Sequence, residues 1–222
     1  MEVAPQHHLV PEKPAGHHKT GAGKEMVKLK LSAVLTAFLL LCAVIPSYAA
    51  APATAAGEYA VLGGYGITHR GFGATVTQVQ TVDAIARFGW FLSDEVAKGS
   101  LVQGRHELLV ELPLHLTVDP RTRIMTGLYL LGSWKFTGLS EQKLYPYAFA
   151  GGGPLYNDLG LATQGTRLNY SYQGGIGIQY LLRPGVAVIG EYRYHHISNA
   201  GTAEPNEPLN SSKILLGIAK QF

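Results

Sequence analysis

With 222 residues and a formal net charge of only +3, the chain is long enough for one substantial domain, or for one membrane barrel behind a targeting segment. Charged residues make up 15%, hydrophobic residues 46%, and glycines number 27, a mix poor for a helical soluble enzyme and suited to strands with close backbone approaches. Several of the Lys and His residues fall in the first thirty positions and no basic, aromatic-interleaved patch is visible, so we read no nucleic-acid partner.

Residues 1–25 carry His7-His8 and His17-His18, and they precede a segment that reads as a natural start. We treat them as an N-terminal extension without function, and Met26 rather than Met1 as the start. From Met26 to Ala49 the pattern is secretory: Lys28 and Lys30, an apolar run from Leu31 to Ile45, then Ser47-Tyr48-Ala49 as a small-x-small cleavage site. The apolar run is shorter than the roughly 20 residues a membrane span needs, and Pro46 ends it. Cys42 lies inside this segment, and Leu41 before it is too large for a lipoprotein anchor. The remaining chain, 50–222, is then expected to hold no disulfide and no thiol chemistry.

From Glu58 onward, apolar residues recur with a period of two rather than 3.6. Tyr59, Val61, Tyr65 and Ile67 share one face of 58–69. Val82, Ala84, Ala86, Phe88, Trp90 and Leu92 share another, opposite Asp83 and Arg87. In 104–118, His106, Leu108, Val110, Leu112, Leu114, Leu116 and Val118 oppose Arg105, Glu107, Glu111 and His115. After a turn at Asp119-Pro120-Arg121, one strand is expected over 122–136, with Tyr129, Ser133 and Lys135 opposite its apolar face. Further strands follow near 145–156, 167–182, 186–198 and 211–222.

This predicts about eight strands, most of them longer than the usual globular five or six. Backbone groups in lipid must all be paired, so the sheet must close. The expected fold is all-β: an eight-stranded antiparallel transmembrane β-barrel over 50–222, with an apolar band outside, aromatics at its ends and a polar interior. Such a barrel is filled by side chains, so Arg87, Arg105, Glu107, Glu111, Glu191, Arg193 and His195 should form a buried ion-pair network rather than a pore. A soluble lipocalin-like barrel would invert the pattern. The signal segment, the aromatic girdles and Phe222 at the end of an amphipathic strand favour the membrane form. The short turns after 118 and 182 are expected at one end, as periplasmic turns.

No Gly-x-Ser-x-Gly elbow and no Cys/His set at zinc spacing is present, and no metal or cofactor is called for. Gly174-Gly175-Ile176-Gly177 lies inside a strand pattern with no helix to follow, which argues against a phosphate cradle. Chemistry concentrates at Tyr192 to Gly201. Val186, Val188, Gly190, Tyr192, Tyr194, His196 and Ser198 share the apolar, lipid-side face of 186–198. His196 and Ser198 are about 6.6 Å apart at Cα from the strand rise, close enough to lean together so that the imidazole takes the serine proton. The second imidazole nitrogen needs an acceptor. Asn210 is the nearest candidate on the next strand, with Glu204 and Glu207 as alternatives in the loop. Asn199, Asn206 and the amides around Ala200-Gly201 can bind an oxyanion. The plainer reading is an interfacial polar pair before a turn.

The stretch His196-Ile197-Ser198-Asn199-Ala200-Gly201, with Pro205-Asn206 soon after, resembles the lipid A 3-O-deacylase (PagL) family. The likeness in residues covers about the last thirty positions; the rest agrees in layout. It implies His196 as general base and Ser198 as nucleophile, with Asn199, Gly201 and Asn206 at positions tied to the oxyanion hole or its support. Asn210 departs from the pattern, since the best-known members carry a Glu there. A neutral amide orients the imidazole but stabilises imidazolium less.

The resemblance implies a serine esterase of the bacterial outer membrane that removes the 3-O-linked hydroxyacyl chain of lipid A, the lipid anchor of lipopolysaccharide. Tyr192 and Tyr194, with Tyr170 and Tyr172, are candidates for an acyl groove or simply interfacial aromatics. Two other functions stay open: a non-catalytic small barrel serving adhesion or envelope structure, and a lipid A acyltransferase. The preferred acyl chain, latency in the native membrane and pairing as a homodimer are open as well.

Overall fold

A computed structural model describes residues 55–139 and 143–222. The expected extension at 1–25 and signal segment at 26–49 lie outside the described residues. The strands are β1 (Gly57–Thr68), β2 (Gln80–Phe91), β3 (Gly104–Asp119), β4 (Arg123–Gly127), β5 (Tyr129–Phe136), β6 (Leu144–Asn157), β7 (Leu168–Arg183), β8 (Val186–Ser198) and β9 (Leu209–Gln221). Every neighbouring pair is antiparallel, and β1 pairs with β9 from Glu58↔Gln221 to Thr68↔Ser211, which closes the ring. Among the described residues no strand edge remains unpaired.

β4 and β5 are two halves of one stave, so nine segments make an eight-stave barrel. The single strand expected over 122–136 is interrupted for a physical reason. β4 pairs with β3 up to Leu114↔Thr126 and β5 resumes at Glu111↔Tyr129. Pro113 lies in the gap and has no N–H to donate to the ladder. Leu128 N instead donates to Pro154 O at 3.2 Å on the other side. There Gly151-Gly152-Gly153 allow the neighbouring backbones in: a Cβ on them would collide with the carbonyl oxygens of Leu130, Ser171 and Leu128.

Side chains alternate as the period-two pattern requires. The outer face exposes Leu112, Leu114, Leu130, Ile176, Ile178, Ile214, Leu216 and Ile218. Aromatics ring both ends of this band. Tyr59, Phe88, Trp90 and Phe222 cluster at the end carrying Gly57 and Phe222, with the Tyr59 and Phe222 centroids 4.7 Å apart. Phe72, Tyr170, Tyr172 and Tyr194 lie at the other end.

The interior is filled and charged, as expected. Arg87 Nη2 donates to Glu191 Oε2 at 2.6 Å and Arg87 Nε to Glu111 Oε1 at 2.7 Å, while Arg193 donates to both Glu111 and Glu191. Lys135 bridges Glu58 and Glu107, and Lys213 meets Asp83 at 2.6 Å. Asp83 also holds His115, which continues through Tyr129 to His195. Arg87, Arg193, Lys135 and Lys213 thus each touch a buried carboxylate, the condition under which burial is tolerated, while Arg105 donates to the backbone carbonyls of Ser93 and Ala55.

The connections correct one expectation. The turns after 118 and after 182 fall at opposite ends, because strand direction alternates around the ring and three staves precede the first but six precede the second. Residues 92–103 and 184–185, together with 137–139 after β5 and 143 before β6, lie at the Gly57/Phe222 end. Residues 69–79, 120–122, 158–167 and 199–208 connect strands at the far end.

Candidate active site

The β8–β9 hairpin builds the site at the far end of the barrel. β8 pairs with β9 in a register that sets His196 opposite Asn210, and with β7 so that His196 faces Tyr172 and Ser198 faces Tyr170. His196 and Ser198 point outward and are half-buried.

Ser198 Oγ lies 3.1 Å from His196 Nε2, and Asn210 Oδ1 lies 2.7 Å from His196 Nδ1. The amide oxygen only accepts, so Nδ1 carries the proton and Nε2 presents its lone pair to the serine hydroxyl. The Tyr194 hydroxyl donates to the same Asn210 oxygen at 2.6 Å. The Tyr172 ring stacks on the imidazole. The Tyr192 hydroxyl lies 2.9 Å from Ser212 Oγ, which stands opposite Tyr194 on β9.

Neither alternative carboxylate takes the Asn210 position. Glu207 accepts from Val76 N at 2.8 Å, from Thr77 N at 2.6 Å and from the Thr77 hydroxyl at 3.0 Å, which ties the β8–β9 loop to the β1–β2 loop. Burial raises the Glu207 pKa, but these bonds outweigh it and hold the carboxyl below the ordinary carboxylate value. Glu204 is exposed in the loop.

The loop residues expected to bind an oxyanion mostly hold the loop itself. Asn199 N donates to Asn206 Oδ1 at 2.9 Å, and Asn199 Nδ2 donates to Ala203 O at 2.8 Å. Gly201 N donates to Asn199 Oδ1 at 2.9 Å. Asn199 N, Asn199 Nδ2 and Gly201 N are thus engaged within the loop. Asn206 Nδ2 and the Ala200 amide are the donors not engaged in those bonds. Ala200 and Gly201 are both left-handed, at φ 54° and 76°, which turns the chain sharply beside Ser198. Loop 158–167 braces this turn: Gly165 N donates to Pro205 O at 2.6 Å and Gln164 Nε2 to Glu207 O at 3.1 Å.

Sequence reasoning missed the cover over Asn210. Asn210 is only 5% exposed because the β1–β2 loop lies over it. Asn210 Nδ2 donates to Thr75 Oγ1 at 2.9 Å and to Phe72 O at 3.2 Å. Those residues sit in a loop without periodicity, and no spacing signal marks them.

The family model described as lipid A 3-O-deacylase (PagL) matches residues 109–219, from mid-β3 almost to the end of β9. The chain belongs to the lipid A 3-O-deacylase (PagL) family. As a barrel of that family it resides in the bacterial outer membrane. The PagL match includes Tyr172, His196, Ser198 and Asn210, and excludes Phe72 and Thr75. No curated protein sequence matches the chain.

Among solved structures, Neisserial surface protein A superposes with a TM-score of 0.53 at 13% identity, covering 75% of this chain and 97% of that one. The outer membrane enzyme PagL gives 0.49 at 16% identity, covering 72% and 97%. The outer membrane protein OprG from Pseudomonas aeruginosa gives 0.40 at 14%, covering 76% and 97%. The likeness to Neisserial surface protein A supports the small-barrel fold.

Proposed function

We propose that the protein is a serine esterase that removes the 3-O-linked 3-hydroxyacyl chain of lipid A in the outer leaflet. The observation that carries this reading is the Ser198–His196–Asn210 chain of hydrogen bonds on the lipid-facing surface of the barrel. Membership of the PagL family supports it. A substrate anchored in the same leaflet reaches such a site without leaving the membrane.

In this mechanism Ser198 Oγ attacks the ester carbonyl while His196 Nε2 takes its proton. Asn210 Oδ1 accepts from Nδ1–H throughout and holds the ring in the required tautomer. Negative charge on the carbonyl oxygen is met by Asn206 Nδ2 and the Ala200 amide beside the turn. The imidazolium then gives its proton to the departing sugar 3-oxygen, leaving an acyl ester on Ser198. Water attacks that ester with His196 again as base, releasing the 3-hydroxy fatty acid and restoring the serine. The half-exposed rings of Tyr172 and Tyr194, with Tyr170 and Tyr192, line the path for the acyl chain. No cofactor enters these steps.

Mass spectrometry of lipid A from cells expressing the wild-type chain or Ser198→Ala tests the proposal. Loss of one hydroxyacyl chain with the wild type alone supports it. A gain of acyl mass would make the protein a lipid A acyltransferase. An unchanged spectrum from folded protein would leave a non-catalytic barrel.

A further inference from the structure

Position 210 is surrounded by a donor and acceptor pattern that suits an amide and opposes a carboxylate. On one side, His196 Nδ1–H and the Tyr194 hydroxyl both donate to Oδ1. On the other, Nδ2 faces Phe72 O, a backbone carbonyl that can only accept, at 3.2 Å. Its second partner is Thr75 Oγ1 at 2.9 Å. The Thr75 hydroxyl donates its own proton to Pro208 O at 2.9 Å, and its oxygen also accepts Asn210 N–H at 3.1 Å. Thr75 therefore presents lone pairs to Nδ2. A carboxylate here would set its second oxygen against two acceptors in a buried pocket, the least favourable pairing for a desolvated anion.

We propose that Thr75 is a positioning residue of the site, which together with the Phe72 carbonyl selects a neutral amide at 210 and fixes its oxygen on His196. The departure from an acid at this position is then built into the chain, with the imidazole oriented by an amide dipole instead of a charge. Thr75 lies 135 residues from Asn210 and outside the family match, so the family likeness does not supply this role. The inference rests on the esterase reading, in which Ser198 is activated by His196.

The test compares Asn210→Asp, Thr75→Val and Thr75→Ser with the wild type, using refolded full chain whose heat-modifiable gel mobility shows a closed barrel. Two readouts are taken: kcat and KM for lipid A deacylation, and the rate at which a fluorophosphonate labels Ser198. The second needs no lipid substrate, so it still decides the inference if lipid A is not deacylated. Asn210→Asp and Thr75→Val are each expected to lower kcat and the labelling rate about tenfold or more, the size of one lost buried hydrogen bond, with KM little changed. Thr75→Ser keeps the hydroxyl and is expected to stay within about threefold of wild type. Should Thr75→Val fail to close, Asn210→Asp and Thr75→Ser carry the decision. The proposal is overturned if Asn210→Asp labels as fast as wild type or faster, or if a closed Thr75→Val barrel labels at the wild-type rate.

Discussion

The Tyr172 ring lies against the His196 imidazole with centroids 4.1 Å apart and planes at 18°. The contact follows from register, since Tyr172 on β7 stands directly opposite His196 on β8. It restrains the ring on the side that Asn210 does not reach. Stacked aromatic pairs contribute about 0.5–1.5 kcal/mol. Tyr172→Ala should therefore lower kcat by roughly two- to tenfold, and Tyr172→Phe should keep most of it. Steady-state kinetics on both variants checks this, and equal losses in the two would shift the role from the ring to the hydroxyl.

Removal of the nucleophile or the base should act as one unit. Ser198→Ala, His196→Ala and the double variant are each expected to reduce deacylation to a similar level, on the order of 10⁴-fold or more below wild type. Losses that multiply in the double variant would mean that the two side chains act separately.

Glu111 is fully buried and holds two cations, Arg87 and Arg193. Glu111→Gln leaves these guanidinium groups sharing the Glu191 carboxylate in a dry interior. Breaking such a pair typically costs about 3–5 kcal/mol. The urea midpoint for unfolding from lipid vesicles should fall accordingly, and a midpoint at the wild-type value would show that the remaining partners suffice.

Glu207 ties two loops together through its ionised form, and its carboxyl is held below the ordinary value of 4.5. A depressed carboxylate adds stability that is fully present above the ordinary value and lost as pH falls through the lowered one. The β1–β2 loop at 69–79 should therefore resist proteolysis near neutrality and become cleavable in acid, as the pH falls through that lowered value. Glu207→Gln should be cleaved alike at both pH values, each time more readily than the neutral wild type. An acid-insensitive wild-type loop would contradict the assignment.

Strand alternation made most of the barrel legible in the sequence. Successive side chains in a strand must face opposite ways, so a run such as Leu108-Leu109-Val110-Glu111-Leu112 already separates two faces, and the signal segment, the aromatic girdles and Phe222 say which of them meets lipid. Backbone pairing in lipid then demands closure, and with the faces assigned the buried set of Arg87, Glu111, Glu191 and Arg193 follows from parity. The spacing of His196 and Ser198 is equally local. Ring closure and loop packing decided the rest. Pro113 interrupts the stave only because the register sets it opposite Gly127, beside Leu128, and the turns at 118 and 182 part because three staves, an odd number, lie between them. Thr75 reaches Asn210, and Glu207 reaches Thr77, through contacts between loops that carry no period. Hydrogen bonds across more than a hundred residues leave no mark on local spacing, so the amide pocket at Asn210 belongs to the tertiary structure alone.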